Sequence, residues 1–269
     1  MDTRTILLDV GGSYIKRPDG PDIPIPSDGS REAIATALHS AVVSILSGGH
    51  SRIGIAIPGP FNFKEGIFLM KHKFASVYGE RFADIAGIPD GVEVKYIHDV
   101  NAVLEGAIRL MDLSSRNTAL VTLGTGLGFS IAIKGQVRYS PSGSPADVLW
   151  NLPWKDGILE DFVGSRGVKR YWAEEGGDAN DSAAVIANKA DEGNPAAIRA
   201  YERMGDTLGE AVKGVLEEHG VDTLLFAGQV SKSLNLMESS LSKHLKDIVF
   251  VLAPKEAVFE GISSLFENN

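Results

Sequence analysis

The segment DVGGSYIK, residues 9–16, puts two glycines and a serine directly after an apolar strand pattern. Glycine has no Cβ and tolerates positive φ, so consecutive backbone N–H groups in such a turn can point at phosphate oxygens. The Ser13 hydroxyl adds a further donor. Because a Gly-Gly turn after a strand is also typical of an ordinary hairpin, this segment alone indicates only a candidate phosphate loop.

Two further glycine loops follow apolar strand patterns later in the chain. They are LGTGLG at residues 123–128 and FAGQVS at residues 226–231. Thr125 adds a hydroxyl donor to the first of them. Neither the GxGxxG pattern of a Rossmann turn nor the GxxxxGK[ST] pattern of a P-loop is present, so both of those nucleotide sites are unsupported.

Strand and helix patterns alternate along the chain, which is typical of an α/β fold. A strand, glycine turn and strand pattern starts again at residues 118–135, which indicates a loose duplication of the first half. A long helix is predicted to begin with Asn194 as N-cap and Pro195 at its first position. The other strands are expected at 3–10, 52–57, 67–72, 92–99, 222–227 and 247–253, and the other helices at 30–46, 100–112, 158–173, 182–191, 235–245 and 255–266.

The composition is that of an ordinary globular protein. The chain has 269 residues, of which 43% are hydrophobic and 23% are charged. No apolar run approaches the ~18–20 residues that a transmembrane helix needs, and the amino terminus lacks a secretory cleavage pattern. We therefore expect a cytoplasmic protein with no membrane contact.

Residue counts exclude several classes of chemistry. The absence of cysteine removes disulfides, thiolate nucleophiles, and cysteine-ligated zinc or iron–sulfur clusters. The six histidines show no HxxxH or other metal spacing. The formal charge of -9 disfavours general nucleic-acid binding, because an acidic surface repels the phosphate backbone.

Taken together, the three glycine loops resemble those of the actin–hexokinase type of ATPase. Asp9 and the glycines after it resemble the first phosphate loop, LGTGLG the second, and FAGQVS the adenosine loop. The resemblance implies two actin-like, ribonuclease H-like α/β lobes with a cleft between them that closes over the substrate. We assign the first lobe to residues 1–112, the second to 113–254, and a closing helix that returns to the first lobe to 255–269.

Within that superfamily, nearly the whole chain resembles the ROK family of bacterial sugar kinases and repressors. The matching elements are the first two glycine loops, IAIPGPFN (55–62), HDVNAVLEGA (98–107), LEDFVGSRGVKRY (159–171) and FAGQVSKS (226–233). This resemblance implies a kinase that phosphorylates a hexose or N-acetylhexosamine with Mg²⁺ and ATP, and a homodimer. The implied partners are thus ATP and a small sugar, with neither nucleic acid nor membrane.

The resemblance also implies roles for individual residues. Asp99 matches the catalytic aspartate, the general base that contacts the sugar hydroxyl, although an aspartate that opens a helix is also an ordinary N-cap. Asp9 is expected at the Mg²⁺–phosphate end through water. The implied ATP- and phosphate-binding residues are Asp9, Gly11, Gly12, Ser13, Lys16, Thr125, Gly126, Gly228 and Gln229. The implied sugar-binding residues are Pro60, Asn62, His98, Asp99, Asp147 and Glu160.

The chain departs from the ROK pattern on the sugar side. His98 stands where the family usually has asparagine, and Asp147 and Trp150 fall where it has a glutamate and a histidine. The family's zinc-binding cysteine element would lie between Trp150 and Glu160, where this chain has NLPWKDGI, so no zinc site of that kind can form. Members without that element include polyphosphate-using glucokinases. The sugar and the phosphate donor, ATP or polyphosphate, therefore stay open.

Three alternatives to a kinase can be weighed from the sequence. Because only eight residues precede Asp9, we do not expect the DNA-binding domain of a ROK repressor ahead of it. An actin-like structural ATPase would not need Asp99 in its kinase-like context. A sugar sensor without catalysis is the stronger rival, because the sugar side has changed, but the retained phosphate loops argue against it.

Overall fold

The computed structural model describes residues 5–46 and 51–267. The chain forms two compact units: unit 1 comprises Met1–Met111, Tyr139–Ala146 and Pro254–Asn269, and unit 2 comprises Asp112–Arg138 and Asp147–Ala253. The segment 139–146, assigned from the sequence to the second lobe, thus belongs to unit 1. Residues 1–4, 47–50 and 268–269, which the predicted first lobe and closing helix include, lie outside the described residues.

Unit 1 contains a mixed sheet with helices. Its elements are β1 (Thr5–Val10), β2 (Tyr14–Lys16), β3 (Ile23–Pro24), α1 (Arg31–Leu46), β4 (Arg52–Ile57), β5 (Phe61–Asn62), β6 (Ile67–Phe68), α2 (Phe82–Ala86), β7 (Glu93–His98) and α3 (Asp99–Leu110). The main sheet has the order β3-β2-β1-β4-β7. The pairs β3–β2 and β2–β1 are antiparallel, whereas the pairs β1–β4 and β4–β7 are parallel.

Unit 2 repeats this arrangement. Its elements are β8 (Thr118–Leu123), β9 (Leu127–Ile133), β10 (Gln136–Val137), β11 (Pro153–Trp154), β12 (Gly157–Ile158), α4 (Gly164–Glu174), α5 (Ala183–Asp191), α6 (Pro195–Glu218), β13 (Thr223–Ala227), α7 (Glu238–His244) and β14 (Val249–Leu252). Its main sheet has the order β10-β9-β8-β13-β14, again antiparallel on one side of β8 and parallel on the other. The predicted duplication is therefore confirmed at the level of sheet topology.

Each unit has its own apolar core. In unit 1, the rings of Phe61, Phe68, Phe74 and Phe82 are fully or almost fully buried and pack in one cluster with apolar side chains of the main sheet. In unit 2, apolar side chains of the sheet pack with those of α4, α5 and α6. In the described part of the chain, no helix is long and apolar enough to cross a membrane.

The last helix, α8 (Ala257–Ser263), packs against α3 at backbone distance. A Cβ placed on Gly106 would lie 1.8 Å from the carbonyl oxygen of Ala257, and one on Gly261 would lie 1.9 Å from that of Ala102. Glycine at these two positions is what lets the helices approach so closely. This contact fixes the position of α3, whose first residue is Asp99.

Most predicted elements are confirmed within a few residues, including the Asn194 cap, whose Oδ1 accepts the N–H groups of Ala196 and Ala197. Three predictions were wrong in part. The strand at 67–72 ends at Phe68. The helix at 158–173 is a short 3-10 turn, Leu159–Asp161, followed by α4, and the extended backbone of Val163 separates the two. Of the helix predicted at 235–245, residues 235–236 end a 3-10 turn, Val230–Leu236, and Glu238–His244 form α7.

Candidate active site

The first glycine loop closes the β1–β2 hairpin in unit 1. The Gly11 N–H donates to the carbonyl oxygen of Tyr14 at 2.9 Å, which forms the turn. Asp9 lies opposite Lys16 in the ladder, and Lys16 Nζ is 3.2 Å from Asp9 Oδ2. Lys16, predicted to contact phosphate, is thus paired with a carboxylate. Ser13, at the tip of the turn, is exposed.

Asp9 is a largely buried carboxylate beside this turn. Burial raises its pKa, the Lys16 ammonium lowers it, and the negative charge of Asp99 raises it again, so that the pKa of Asp9 lies above its ordinary value. Asp9 and Asp99, which the sequence assigned to the phosphate and sugar sides, both belong to unit 1. Carboxylate oxygens are also the ligands that Mg²⁺ prefers.

Lys73, which belongs to none of the sequence motifs, lies next to the same turn. An ideal Cβ on Gly12 would lie 3.3 Å from Lys73 Cε and 3.4 Å from Lys73 Nζ. The side chain of Lys73, from the segment between β6 and α2, therefore covers the second glycine of the loop. No pattern in the sequence indicated this residue, because its place depends on packing between segments about 60 positions apart.

Asp99 opens α3 directly after β7, and its carboxylate is held by two neighbours. Asp99 Oδ1 lies 2.9 Å from His98 Nδ1 and 2.8 Å from the Val100 nitrogen. Partial burial raises the pKa of Asp99, but the charge and hydrogen bond of His98, the Val100 N–H and the charge of Lys73 lower it by more. The pKa of Asp99 thus lies below its ordinary value, and the side chain stays ionised, as a general base requires.

The contacts around Asp99 indicate whether His98 Nδ1 donates or accepts a hydrogen bond. His98 Nδ1 is 3.3 Å from the Val100 nitrogen, but a ring nitrogen that donates to Asp99 cannot accept from Val100. The shorter contacts favour Nδ1–H donating to Asp99 Oδ1, with Val100 N–H donating to the same oxygen. His98 Nε2 then faces the turn at Gly59, where an ideal Cβ would lie 3.3 Å away.

The remaining sugar-side residues of unit 1 follow this turn. Pro60 comes after a cis Gly59–Pro60 peptide bond and is exposed. Asn62 Oδ1 accepts the N–H groups of Lys64 and Glu65, both at 3.1 Å, and its Nδ2 donates to the Glu65 carboxylate at 3.2 Å. The Asn62 side chain therefore holds the β5–β6 turn, and its sugar contact stays a prediction.

Sequence reasoning also missed the segment 139–146, which lies in unit 1 beside the same turn. An ideal Cβ on Gly59 would be 3.7 Å from Ser144 Oγ. The hydroxyl of Ser142 bonds to those of Ser140 and Ser144 at 2.9 and 3.3 Å. The run SPSGS at 140–144 is the signal that a hydroxyl-bearing loop was present.

In unit 2, Glu160 supports the second glycine loop. Its Oε2 accepts the Leu127 N–H at 2.9 Å, and its Oε1 accepts from Arg166 at 2.9 Å. An ideal Cβ on Gly126 would lie 2.5 Å from Glu160 Oε2, so a larger residue there would displace the Glu160 carboxylate. Thr125, between the two glycines, is exposed. The structure thus places Glu160, predicted to bind sugar, at the predicted phosphate loop.

The third loop lies against the second within unit 2. Gly228 takes a φ of 92°, and an ideal Cβ on it would lie 2.4 Å from the carbonyl oxygen of Leu123. The next residue, Gln229, is exposed. The two predicted nucleotide loops, 123–128 and 226–231, therefore meet at the ends of the neighbouring strands β8 and β13.

Asp147, predicted to bind sugar, lies beside two basic side chains of unit 2. Its Oδ2 lies 3.2 Å from Arg138 Nη1, and its Oδ1 lies 3.7 Å from His219 Nε2. The aligned Trp150 is exposed at 46% of its surface. Across residues 5–46 and 51–267, no group of three or more His, Asp or Glu side chains is arranged to hold a metal ion.

The sequence matches the ROK family over residues 3–266. The chain belongs to the ROK family. N-acetylmannosamine kinases from several Escherichia coli strains are 21% identical to it over 260 residues, which cover 89% of this ROK chain and 88% of those proteins.

Two solved structures show the fold of this ROK protein. A ROK family glucokinase from Streptomyces griseus, in complex with glucose and AMPPNP, superimposes with a TM-score of 0.78 at 20% identity, covering 97% of this chain and 98% of that one. A ROK family transcriptional regulator, a homologue of the Escherichia coli MLC protein, gives 0.77 at 18% identity, covering 96% and 77%. The predicted α/β, actin-like ATPase fold is confirmed.

Proposed function

We propose that this ROK protein is a sugar kinase that transfers the γ-phosphoryl group of ATP to a hydroxyl of a hexose or N-acetylhexosamine, with Asp99 as general base. The observation that carries the proposal is the environment of Asp99. Two donors hold Asp99 Oδ1, and Oδ2 takes neither bond. In an ionised carboxylate held in this way, hydrogen bonds from the protein fix one oxygen. The other oxygen can accept the proton of the acceptor hydroxyl.

The proposed reaction is a single displacement. The acceptor hydroxyl gives its proton to Asp99 as its oxygen forms a bond to the γ-phosphorus of ATP, and the bond from that phosphorus to the bridging oxygen breaks to release ADP. Mg²⁺ bound with ATP neutralises phosphate charge. Asp9 would hold this ion, directly or through water, because it is the carboxylate beside the first glycine turn.

The other site residues are assigned either to ATP, the phosphate donor, or to the sugar, the phosphate acceptor. We assign Gly11, Gly12 and Ser13 to the phosphates, together with Thr125 and Gly126. Gly228 and Gln229 are assigned to the adenosine. The proposed sugar-side residues are Pro60, Asn62, His98, Asp147 and Glu160. The named relatives support a sugar kinase, since they include N-acetylmannosamine kinases and a glucokinase in complex with glucose and AMPPNP.

The test measures ADP release from Mg-ATP, and separately phosphate transfer from polyphosphate, over a panel of hexoses and N-acetylhexosamines. Asp99→Asn keeps the size of the side chain but removes the base, so turnover should fall by about 100- to 10,000-fold while nucleotide still binds. Asp112→Asn is the matched control. It makes the same change at an exposed position just past the other end of α3 and should leave turnover unchanged.

The outcome also decides between the kinase and a sugar sensor. Sugar-dependent turnover that Asp99→Asn abolishes establishes the kinase and identifies its acceptor. Binding of a sugar by calorimetry without turnover from either donor would instead favour the sensor, a function consistent with the fold shared with a ROK transcriptional regulator. Asp99 would then be an ordinary helix cap.

A further inference from the structure

Lys73 lies beside the first glycine loop, its charge acts on Asp99, and no sequence motif assigns it a role. Its Nζ is 3.4 Å from the place where a Cβ on Gly12 would be, and its charge contributes to the low pKa of Asp99. Both neighbours belong to the proposed phosphate and acceptor sides of unit 1. The Lys73 ammonium therefore lies near the path of the phosphoryl group from the proposed phosphate side to the proposed acceptor hydroxyl.

The backbone holds Lys73 in this place. The next residue, Phe74, adopts a left-handed conformation with φ 53° and ψ 26°, which is uncommon for a bulky residue. Its ring is fully buried against Phe68, and its N–H donates to the carbonyl oxygen of Ser27 at 2.5 Å. Such a conformation persists only when the surrounding structure enforces it, so the chain next to Lys73 is held in place.

The charge of Lys73 is also not used elsewhere. Lys16, the other lysine near this loop, is paired with Asp9 at 3.2 Å. Among the residues that the structure describes, no carboxylate forms an ion pair with Lys73, although the side chain is only half-exposed. A partly buried ammonium without an ion pair is suited to an anion that arrives with the substrate.

We propose that Lys73 is a catalytic residue that contacts the oxygens of the phosphoryl group during its transfer. This inference rests on the proposed kinase function. Negative charge on those oxygens must be balanced in the transition state, and a fixed ammonium provides this without reorganisation. Because the contact forms with the moving group, it should act on kcat more than on the KM for sugar.

The test compares Lys73→Met, Lys73→Gln and Lys73→Arg in Mg-ATP assays with the sugar that the wild type phosphorylates. The two neutral variants should lower kcat by about 100- to 1,000-fold, with the sugar KM within about threefold of wild type. Arginine should recover part of the loss because it keeps the charge. Lys71→Met is the matched control: Lys71 is in the same segment but exposed, with its ammonium over the Tyr78 ring, and should leave kcat unchanged.

A second readout tests whether the Lys73 charge acts within the site or whether the variants only disturb the folded structure. Lys73→Met should raise the pH of the acidic limb of kcat/KM, because it removes a charge that lowers the pKa of Asp99. Two neutral variants that keep kcat within about threefold of wild type, or a loss confined to the sugar KM, would overturn the inference and leave the kinase intact. A wild type with no turnover from either donor would refute the kinase itself, and the Lys73 inference with it.

Discussion

Gly106→Ala tests whether the contact between α3 and α8 positions the proposed general base at the start of α3. The added methyl would lie 1.8 Å from the carbonyl oxygen of Ala257 and 2.8 Å from the Gly261 nitrogen. Both neighbours are backbone atoms of α8, so no side chain can rotate away. The two helices would have to separate by more than about 1 Å to restore an ordinary contact distance.

The expected cost is large for a single methyl group. Overpacking a core typically costs about 1–3 kcal/mol, and a clash between two backbones belongs at the upper end of that range. Because a protein of this size loses about 2–4 °C of Tm per kcal/mol, the melting temperature should fall by about 6–12 °C. Asp99 lies seven residues before Gly106 on α3, and misplacing it by about 1 Å should lower kcat by up to about 100-fold.

The assay is thermal unfolding followed by far-ultraviolet circular dichroism, with kcat measured on the same samples. Gly214→Ala is the matched control, since Gly214 is an exposed residue in α6 and an added methyl there would have no atom of the described residues within 4 Å. Alanine there should stabilise the protein by about 0.5–1 kcal/mol through helix propensity. A Gly106→Ala protein that melts within about 1 °C of wild type would refute the reasoning, because the helices would then tolerate separation at no cost.

Two further results are expected from urea unfolding. Folding lowers the pKa of Asp99 and raises that of Asp9, so at pH 7 Asp99→Asn should be less stable than wild type and Asp9→Asn more stable. The first difference should shrink as the pH falls below about 4, and the second as it falls through the raised pKa of Asp9. Glu160→Ala should destabilise unit 2 by about 1–3 kcal/mol, because the Leu127 N–H loses its acceptor, whereas Glu160→Gln keeps an acceptor and should cost less. Equal losses in the two Glu160 variants would show that its charge pairing with Arg166 matters more.

Local sequence patterns were sufficient where one segment determines its own structure. The turn at Gly11 and Gly12 joins two adjacent strands, and the helix after Asn194 begins with a cap and a proline that act within one turn. Asp99 could also be placed from sequence, because an apolar strand pattern runs directly into a helix pattern there. In these cases the determining contacts are between residues close in the chain.

The sequence was insufficient where distant segments meet. Lys73 lies beside Gly12, and the next residue, Phe74, is anchored in a core built from several segments. Residues 139–146 join unit 1 although the chain on both sides of them belongs to unit 2. Glu160 reaches the Leu127 N–H across 33 positions. No periodicity or spacing reports contacts of this kind, because each depends on how folded elements pack.

The residue before Asp99 shows how a departure from a family pattern can preserve chemistry. An asparagine in place of His98 would offer an amide N–H, and the imidazole offers Nδ1–H to Asp99 Oδ1 at 2.9 Å, so one donor replaces another. The imidazole differs in having a second nitrogen, which faces Gly59 on the proposed sugar side. The substitution therefore leaves the support of the proposed base in place and changes the group that a sugar would meet. Because His98 keeps the hydrogen bond to Asp99 but presents a different group on the proposed sugar side, the change argues for a different acceptor more strongly than for lost catalysis.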